Sequence, residues 1–148
     1  MIERTESGLY CRAADAWVDP WKPVPRALIT HAHADHARPG CGEYWAVNSS
    51  EGVLRQRLGQ SINLHPVRYG KEFWLGQCKV SFHSAGHVLG SAQIRLESDG
   101  NVWVVSGDYK RDHDPSCAPF ETVACDVLIT EATFGMPIYR WNRGAEVA

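Results

Sequence analysis

The stretch at residues 30–36 constrains this chain more than any other, because it places three histidines and one aspartate within six consecutive positions. The pattern is His-x-His-x-Asp-His, and it follows an apolar run at residues 27–29. In a helix His31 and His33 would lie on nearly opposite faces, whereas a loop at the carboxyl end of a strand can turn both imidazoles onto one ion. Asp35 and His36 can then bind a second metal ion beside the first. The stretch therefore predicts a site for two adjacent metal ions.

The alternative interpretation is that these histidines are ordinary surface or core residues that lie close together by chance. A single histidine would deserve that interpretation. Four ligand-type residues at this spacing, directly after an apparently buried strand, favour the metal site instead, because a motif gains weight from its structural context.

Length and composition favour one globular domain, with 148 residues of which 44% are hydrophobic and 22% charged. No run of about 18 apolar residues could span a bilayer, and the N-terminus lacks the layout of a secretory signal. The five cysteines include no Cys-x-x-Cys pair, which favours free thiols in a reducing compartment. We therefore expect a cytoplasmic location, no membrane partner and no cysteine among the metal ligands.

The periodicity predicts many short strands and few helices. One helix is expected to run from about residue 51 to Gly59, with Asn48 and Glu51 forming a capping box at its start. A turn at residues 98–100 predicts a hairpin. Strands are expected at residues 8–11, 16–19, 26–30, 44–47, 62–69, 73–75, 79–82, 91–97, 101–105 and 127–129. Such a pattern, with ligand-type residues at strand ends, indicates a layered α/β sandwich.

Four further candidates lie near the ends of predicted strands. His87 stands between Gly86 and Gly90, which allow a sharp turn; a satisfied core histidine is the alternative. Asp108 follows the strand at residues 101–105, and a carboxylate can bridge two cations with its two oxygens. Asp19 and Glu131 follow strands as well, and each is a candidate for orienting an imidazole. For Asp19 a plain turn residue is the other interpretation.

The motif at residues 31–36 resembles the signature of the metallo-β-lactamase superfamily of hydrolases. The sequences around His87, Asp108 and Glu131 are similar to the β-CASP branch, whose members are nucleases. Within that branch the chain is most similar to bacterial DNA ligase-associated exonucleases, which are also described as RNA 3′-end processing factors. The segments that carry this similarity lie at residues 8–11, 19–21, 31–40 and 137–141.

The resemblance implies an α/β fold of the four-layer αββα sandwich type. It places one zinc ion on His31, His33, His87 and Asp108, and a second on Asp35, His36 and the same Asp108, with manganese as an alternative metal. It further implies that residues 1–148 are the N-terminal portion of the domain. A β-CASP cap and a C-terminal return with further histidines are expected downstream, so the sandwich and the second metal site would be incomplete here.

The function implied is hydrolysis of a phosphodiester by a hydroxide held between two zinc ions, with Asp35, Asp108 and Glu131 as the catalytic carboxylates. DNA is favoured over RNA as the substrate, and association with a DNA ligase is expected. The net charge of −2 gives no general attraction to nucleic acid. Three alternatives remain: an RNA-processing nuclease, a hydrolase of small esters or thioesters, and a truncated, inactive metal-binding module. Self-association through exposed core faces is also expected.

Overall fold

The computed structural model describes residues 1–133 and 135–138, which form two sheets and one α-helix. Three residues of the last similarity segment, Tyr139, Arg140 and Trp141, lie outside the described residues. Within those ranges, no helix combines the length and the apolar character needed to cross a membrane.

The first sheet contains six strands that are neighbours in chain order. The first three are antiparallel and the last four are parallel to one another. Their bounds are β1 (Ile2–Thr5), β2 (Gly8–Cys11), β3 (Ala16–Val18), β4 (Arg26–Leu28), β5 (Glu43–Val47) and β6 (Leu64–Val67). The strand β1 was not predicted, because this edge strand is polar and exposed at Glu3 and Arg4 and so lacks an alternating pattern.

The second sheet has five strands in the order β11-β10-β9-β8-β7. The predicted hairpin at residues 98–100 is present, since β9 and β10 pair as antiparallel neighbours. The strand bounds are β7 (Phe73–Leu75), β8 (Cys78–Ser84), β9 (Ala92–Ser98), β10 (Asn101–Val105) and β11 (Val127–Ile129). Only β10 and β11 are parallel neighbours.

The helix α1 spans Glu51–Leu58 and is preceded by one 3-10 turn at Asn48–Ser50. The predicted capping box was wrong. Ser50 occupies the N-cap, and its hydroxyl donates to the Val47 carbonyl at 2.7 Å instead of accepting from the first helical turn. Tertiary packing explains the difference, because Ser50 is buried where the chain leaves β5.

The core consists of two apolar layers. Between the sheets, side chains such as Leu28, Val80, Phe82, Ile94 and Leu96 are fully buried. A second cluster packs α1 against the outer face of the first sheet. The described residues therefore build three layers, helix on sheet on sheet, which is an incomplete αββα sandwich.

Strand direction explains why the candidate ligands meet. In the first sheet β3 and β4 are parallel, so the residues after them, Asp19 and His31, emerge at one edge. In the second sheet β8 and β10 both run antiparallel to β9, so His87 and Asp108 leave their strands at one edge as well. The backbone N–H of Ala92 donates to the Thr30 carbonyl at 2.8 Å, which joins the two edges.

The close packing of the loops where the two sheets meet predicts a difference in stability between two glycine substitutions. A Cβ on Gly86, where φ is +68°, would lie 2.3 Å from the Lys110 carbonyl oxygen. We expect Gly86→Ala to lower the free energy of unfolding by at least about 2 kcal/mol, through backbone strain and overpacking. Gly52→Ala is the control, because nothing lies within 4 Å and alanine favours a helix. Equal stability of the two variants in urea unfolding would contradict this account.

Candidate metal centre

The loop after β4 brings two imidazoles of the motif together. His31 Nε2 lies 2.9 Å from His33 Nδ1. The His31 side chain is fully buried, whereas His33 is exposed. The expected loop geometry is therefore present, with one ligand-type nitrogen anchored in the protein and one at the surface.

Asp108 faces histidines from both sheets, and its two carboxylate oxygens point to different groups. Oδ2 lies 3.7 Å from His31 Nε2 and 3.6 Å from His87 Nε2. Oδ1 lies 3.4 Å from His36 Nε2. That nitrogen of His36 is in turn 3.7 Å from Asp35 Oδ2. The carboxylate thus has the placement of a bridge between two adjacent positions.

Four side chains meet the geometric requirement for a single metal position. One donor atom from each of His31, His33, His87 and Asp108 lies within 4.8 Å of the other three. Zinc ligands lie about 2.0–2.2 Å from the ion, so donor atoms 3–4 Å apart can share one cation. These are the four residues that the resemblance assigns to the first zinc ion.

Asp19 and Thr30 fix the orientation of two of these imidazoles. The Asp19 carboxylate accepts from the Thr30 hydroxyl at 2.5 Å and from the Thr30 backbone N–H at 2.8 Å. It also lies 2.7 Å from His36 Nδ1. Because the Thr30 hydroxyl donates to Asp19, its oxygen is free to accept from His31 Nδ1, 3.1 Å away. Both imidazoles then present Nε2 towards Asp108.

The electrostatics of the three histidines differ. Burial, and then the neighbouring imidazoles, lower the pKa of His31 to about 2, so this ring stays neutral. Burial also lowers the pKa of His87. Burial acts in the same direction on His36, but the hydrogen bond and charge of Asp19 and the charges of Asp108 and Asp35 outweigh it and raise its pKa. His36 therefore sits where a positive charge is favoured.

The donor set fits a bound divalent cation. His87 Nε2 is buried and has no hydrogen-bond partner among the described residues, although a buried polar atom normally has one. On the tautomers set by Thr30 and Asp19, nitrogen lone pairs face the Asp108 carboxylate. That arrangement is repulsive unless a proton or a metal cation lies between them. Imidazole and carboxylate ligands of this kind suit zinc, among other transition metals.

A cleft of about 480 Å³ lies beside the second position. It is lined by Asp35, His36 and Glu131, and its walls also contain Trp21 and Arg38. The Glu131 carboxylate accepts from the Thr133 backbone N–H at 2.8 Å. Among the described residues it forms no hydrogen bond with an imidazole, so its predicted orienting role stays a prediction.

Two supporting residues were not identified from the sequence. Thr30 lies inside the starting stretch, but its role depends on Asp19, which is distant in sequence. Arg57 lies on α1, and its guanidinium donates to the Ala32 carbonyl inside the metal loop. Only the tertiary approach of α1 to the loop shows this contact. A basic residue on a helix gives no sequence signal for it.

Comparison with known sequences finds nuclease and ligase proteins. The chain is 32% identical over 142 residues to a probable DNA ligase of Opitutus terrae, covering 95% of this chain and 14% of that protein. It is 28% identical over 144 residues to an RNase J-like protein of Methanocaldococcus jannaschii, covering 79% of this chain and 33% of that protein. The chain thus spans a third or less of the length of these relatives. No protein-family model matches it.

Comparison with solved structures identifies the fold. The Rm3 metallo-beta-lactamase aligns with a TM-score of 0.52 and 19% identity, covering 80% of this chain and 58% of that chain. At this identity the likeness concerns the fold alone. It agrees with the α/β sandwich.

Metal content tests the first position. We expect the purified chain to bind zinc, and His87→Ala to lower its zinc content and weaken its zinc affinity at least about tenfold, because a ligand and its buried nitrogen are lost. His113→Ala is the matched control, since His113 is exposed and has no hydrogen bond or ion pair among the described residues. Elemental analysis after dialysis against zinc supplies the measurement. Equal zinc content in all three proteins would contradict the assignment.

Proposed function

Because this chain has the metallo-β-lactamase fold and resembles the β-CASP nucleases that carry it, we propose that it is the metal-binding part of a phosphodiester hydrolase. The observation that carries the proposal is the placement of Asp108. One of its oxygens faces His31 and His87, and the other faces His36. Such a carboxylate suits a pair of cations that act on a phosphate group.

We assign the first position to His31, His33, His87 and Asp108, and the second to Asp35, His36 and Asp108. Zinc is the proposed metal, because imidazole nitrogens dominate the donor set, and manganese is the alternative. When bound, two such cations would polarise the phosphoryl group and lower the pKa of a water molecule towards neutrality.

The protein's own groups orient two of the nitrogen donors. The low pKa of His31 keeps its ring neutral. Thr30 and Asp19 accept the Nδ1 protons of His31 and His36, which leaves both Nε2 atoms directed at Asp108. Support of this kind from groups behind the ligands commonly determines metal affinity.

A leaving oxygen must also receive a proton. The Asp35 side chain is 75% exposed, and its Oδ2 lies 3.7 Å from His36 Nε2. It lines the cleft beside the second position, so the carboxylate oxygen that does not hold a cation can pass a proton to a leaving oxygen there. We propose Asp35 for this role, and Glu131, which lines the same cleft, as an orienting carboxylate.

The proposed substrate is DNA with a single-stranded or exposed end. The similarity to a probable DNA ligase supports this choice and the proposal that the protein acts with a ligase. An RNA substrate is the alternative, since other relatives are named as ribonucleases. We also propose that a β-CASP cap downstream of this chain grips the nucleic acid, because the net charge of −2 offers little general attraction for a polyanion.

Replacing the bridging carboxylate tests the proposal. In the zinc-loaded protein, Asp108→Asn is expected to reduce hydrolysis of single-stranded DNA at least about a hundredfold, because an amide bridges two cations poorly and several kcal/mol of stabilisation are lost. Asp112→Asn is the matched control, being an exposed acid with no ion pair among the described residues. Release of labelled nucleotides, with RNA assayed in parallel, gives the rate. Full activity of Asp108→Asn would refute the mechanism, and cleavage of RNA alone would refute the DNA preference.

A further inference from the structure

The cleft beside the second position has an aromatic wall that the proposed chemistry does not use. Trp21 lines this cleft together with Asp35, His36 and Arg38. Its side chain is 48% exposed, although indoles are usually well buried. The cleft lining also contains apolar residues such as Leu9, Val18 and Val105.

The position of Trp21 is fixed by the first sheet. Its backbone N–H donates to the Ser7 carbonyl at 2.9 Å, in the turn between β1 and β2. The guanidinium carbon of Arg4, on β1, lies 5.4 Å from the centroid of the indole ring. This is within the range of a cation–π contact, which restrains the ring while about half of its surface stays open.

The charges around Trp21 differ from those at the metal positions. Arg4 and Arg38 form no ion pair among the described residues, and Arg38 lines the cleft. The nearby Lys22 is engaged with Glu6 at 3.5 Å. The lining of the cleft therefore combines carboxylates and an imidazole, which suit cations, with an indole and a guanidinium group.

We propose that Trp21 is a stacking platform for one base of a single-stranded DNA substrate, with Arg4 and Arg38 facing the adjoining phosphates. This inference rests on the proposed function, because it needs a substrate phosphate at Asp108 and His36. Stacking on an aromatic ring and contact with cationic side chains are how proteins commonly hold single strands. A lone apolar protein segment would match the apolar lining of the cleft, but neither Arg38 in the lining nor Arg4 over the indole.

The geometry makes the subsite position-dependent. The indole and the ligands of the second position line one cleft, so only a base close to the attacked phosphate can reach Trp21. Bases further along the strand lie outside the cleft. Removing one base at a time from the substrate should therefore reveal a single sensitive position.

Binding of oligonucleotides to the zinc-loaded protein tests this. The first probe is a fluorescein-labelled phosphorothioate oligodeoxynucleotide, which resists hydrolysis. The second is a series of the same oligonucleotide in which each nucleotide in turn is replaced by an abasic one. Trp21→Ala is expected to weaken binding of the intact strand at least about fivefold, and Trp21→Phe to retain most of the affinity. Trp74→Ala is the matched control, since Trp74 is 68% exposed on β7 of the other sheet and lies outside the cleft lining.

The decisive result is the coupling between the Trp21→Ala substitution in the protein and the abasic replacement in the oligonucleotide. In the wild type, one abasic position should reproduce the loss caused by Trp21→Ala, and in Trp21→Ala that position should cease to matter. An abasic series with no sensitive position in the wild type would overturn the inference, whether or not the variants fold. A loss of affinity on Trp21→Ala that is the same for every abasic strand would also overturn the inference. If the wild type hydrolyses DNA but Trp21→Ala does not weaken binding, only this inference fails; if it hydrolyses neither DNA nor RNA, the proposed function fails as well.

Discussion

The close approach of Gly107 to Thr30 is the contact on which the site depends. A Cβ at Gly107, where φ is +56°, would lie 2.6 Å from the Thr30 Cβ and Oγ1 atoms, so only glycine fits without displacement. This approach brings the loop after β10, which carries Asp108, against the loop after β4, which carries the histidine motif. The hydrogen bond from Ala92 to the Thr30 carbonyl holds the second sheet to the same residue. The two halves of the site therefore share one joint at Thr30.

A short chain of hydrogen bonds connects Thr30 to the candidate ligands. Asp19 adopts a left-handed conformation, with φ of 43°, and turns its carboxylate back towards Thr30 and His36. Thr30 in turn lies next to His31 Nδ1. The orientation and tautomer of two imidazoles are thus set by one half-buried carboxylate and one hydroxyl, and the carboxylate also favours a positive charge on His36. These groups lie behind the ligands and direct their nitrogen atoms towards Asp108.

The candidate metal ligands could be predicted from the sequence more completely than the residues that hold them in place. The histidine motif is local, so its residues could be identified from spacing, and His87 and Asp108 could be identified because each follows an apolar strand and matches a resemblance. Most strand positions followed from alternation, whereas β1 did not, because its exposed polar residues carry no such signal. The helix cap failed because Ser50 is buried by tertiary packing. Thr30 and Arg57 were missed because their contacts are made between residues that only the fold brings together.

The central claim is that Asp108 bridges two metal positions, and anomalous X-ray diffraction from zinc-loaded crystals tests it most directly. Data collected above and below the zinc absorption edge locate each ion without reference to activity. We predict two peaks on either side of the Asp108 carboxylate, one among His31, His33 and His87, and one between Asp35 and His36. A single peak, or peaks that do not contact Asp108, would contradict the account.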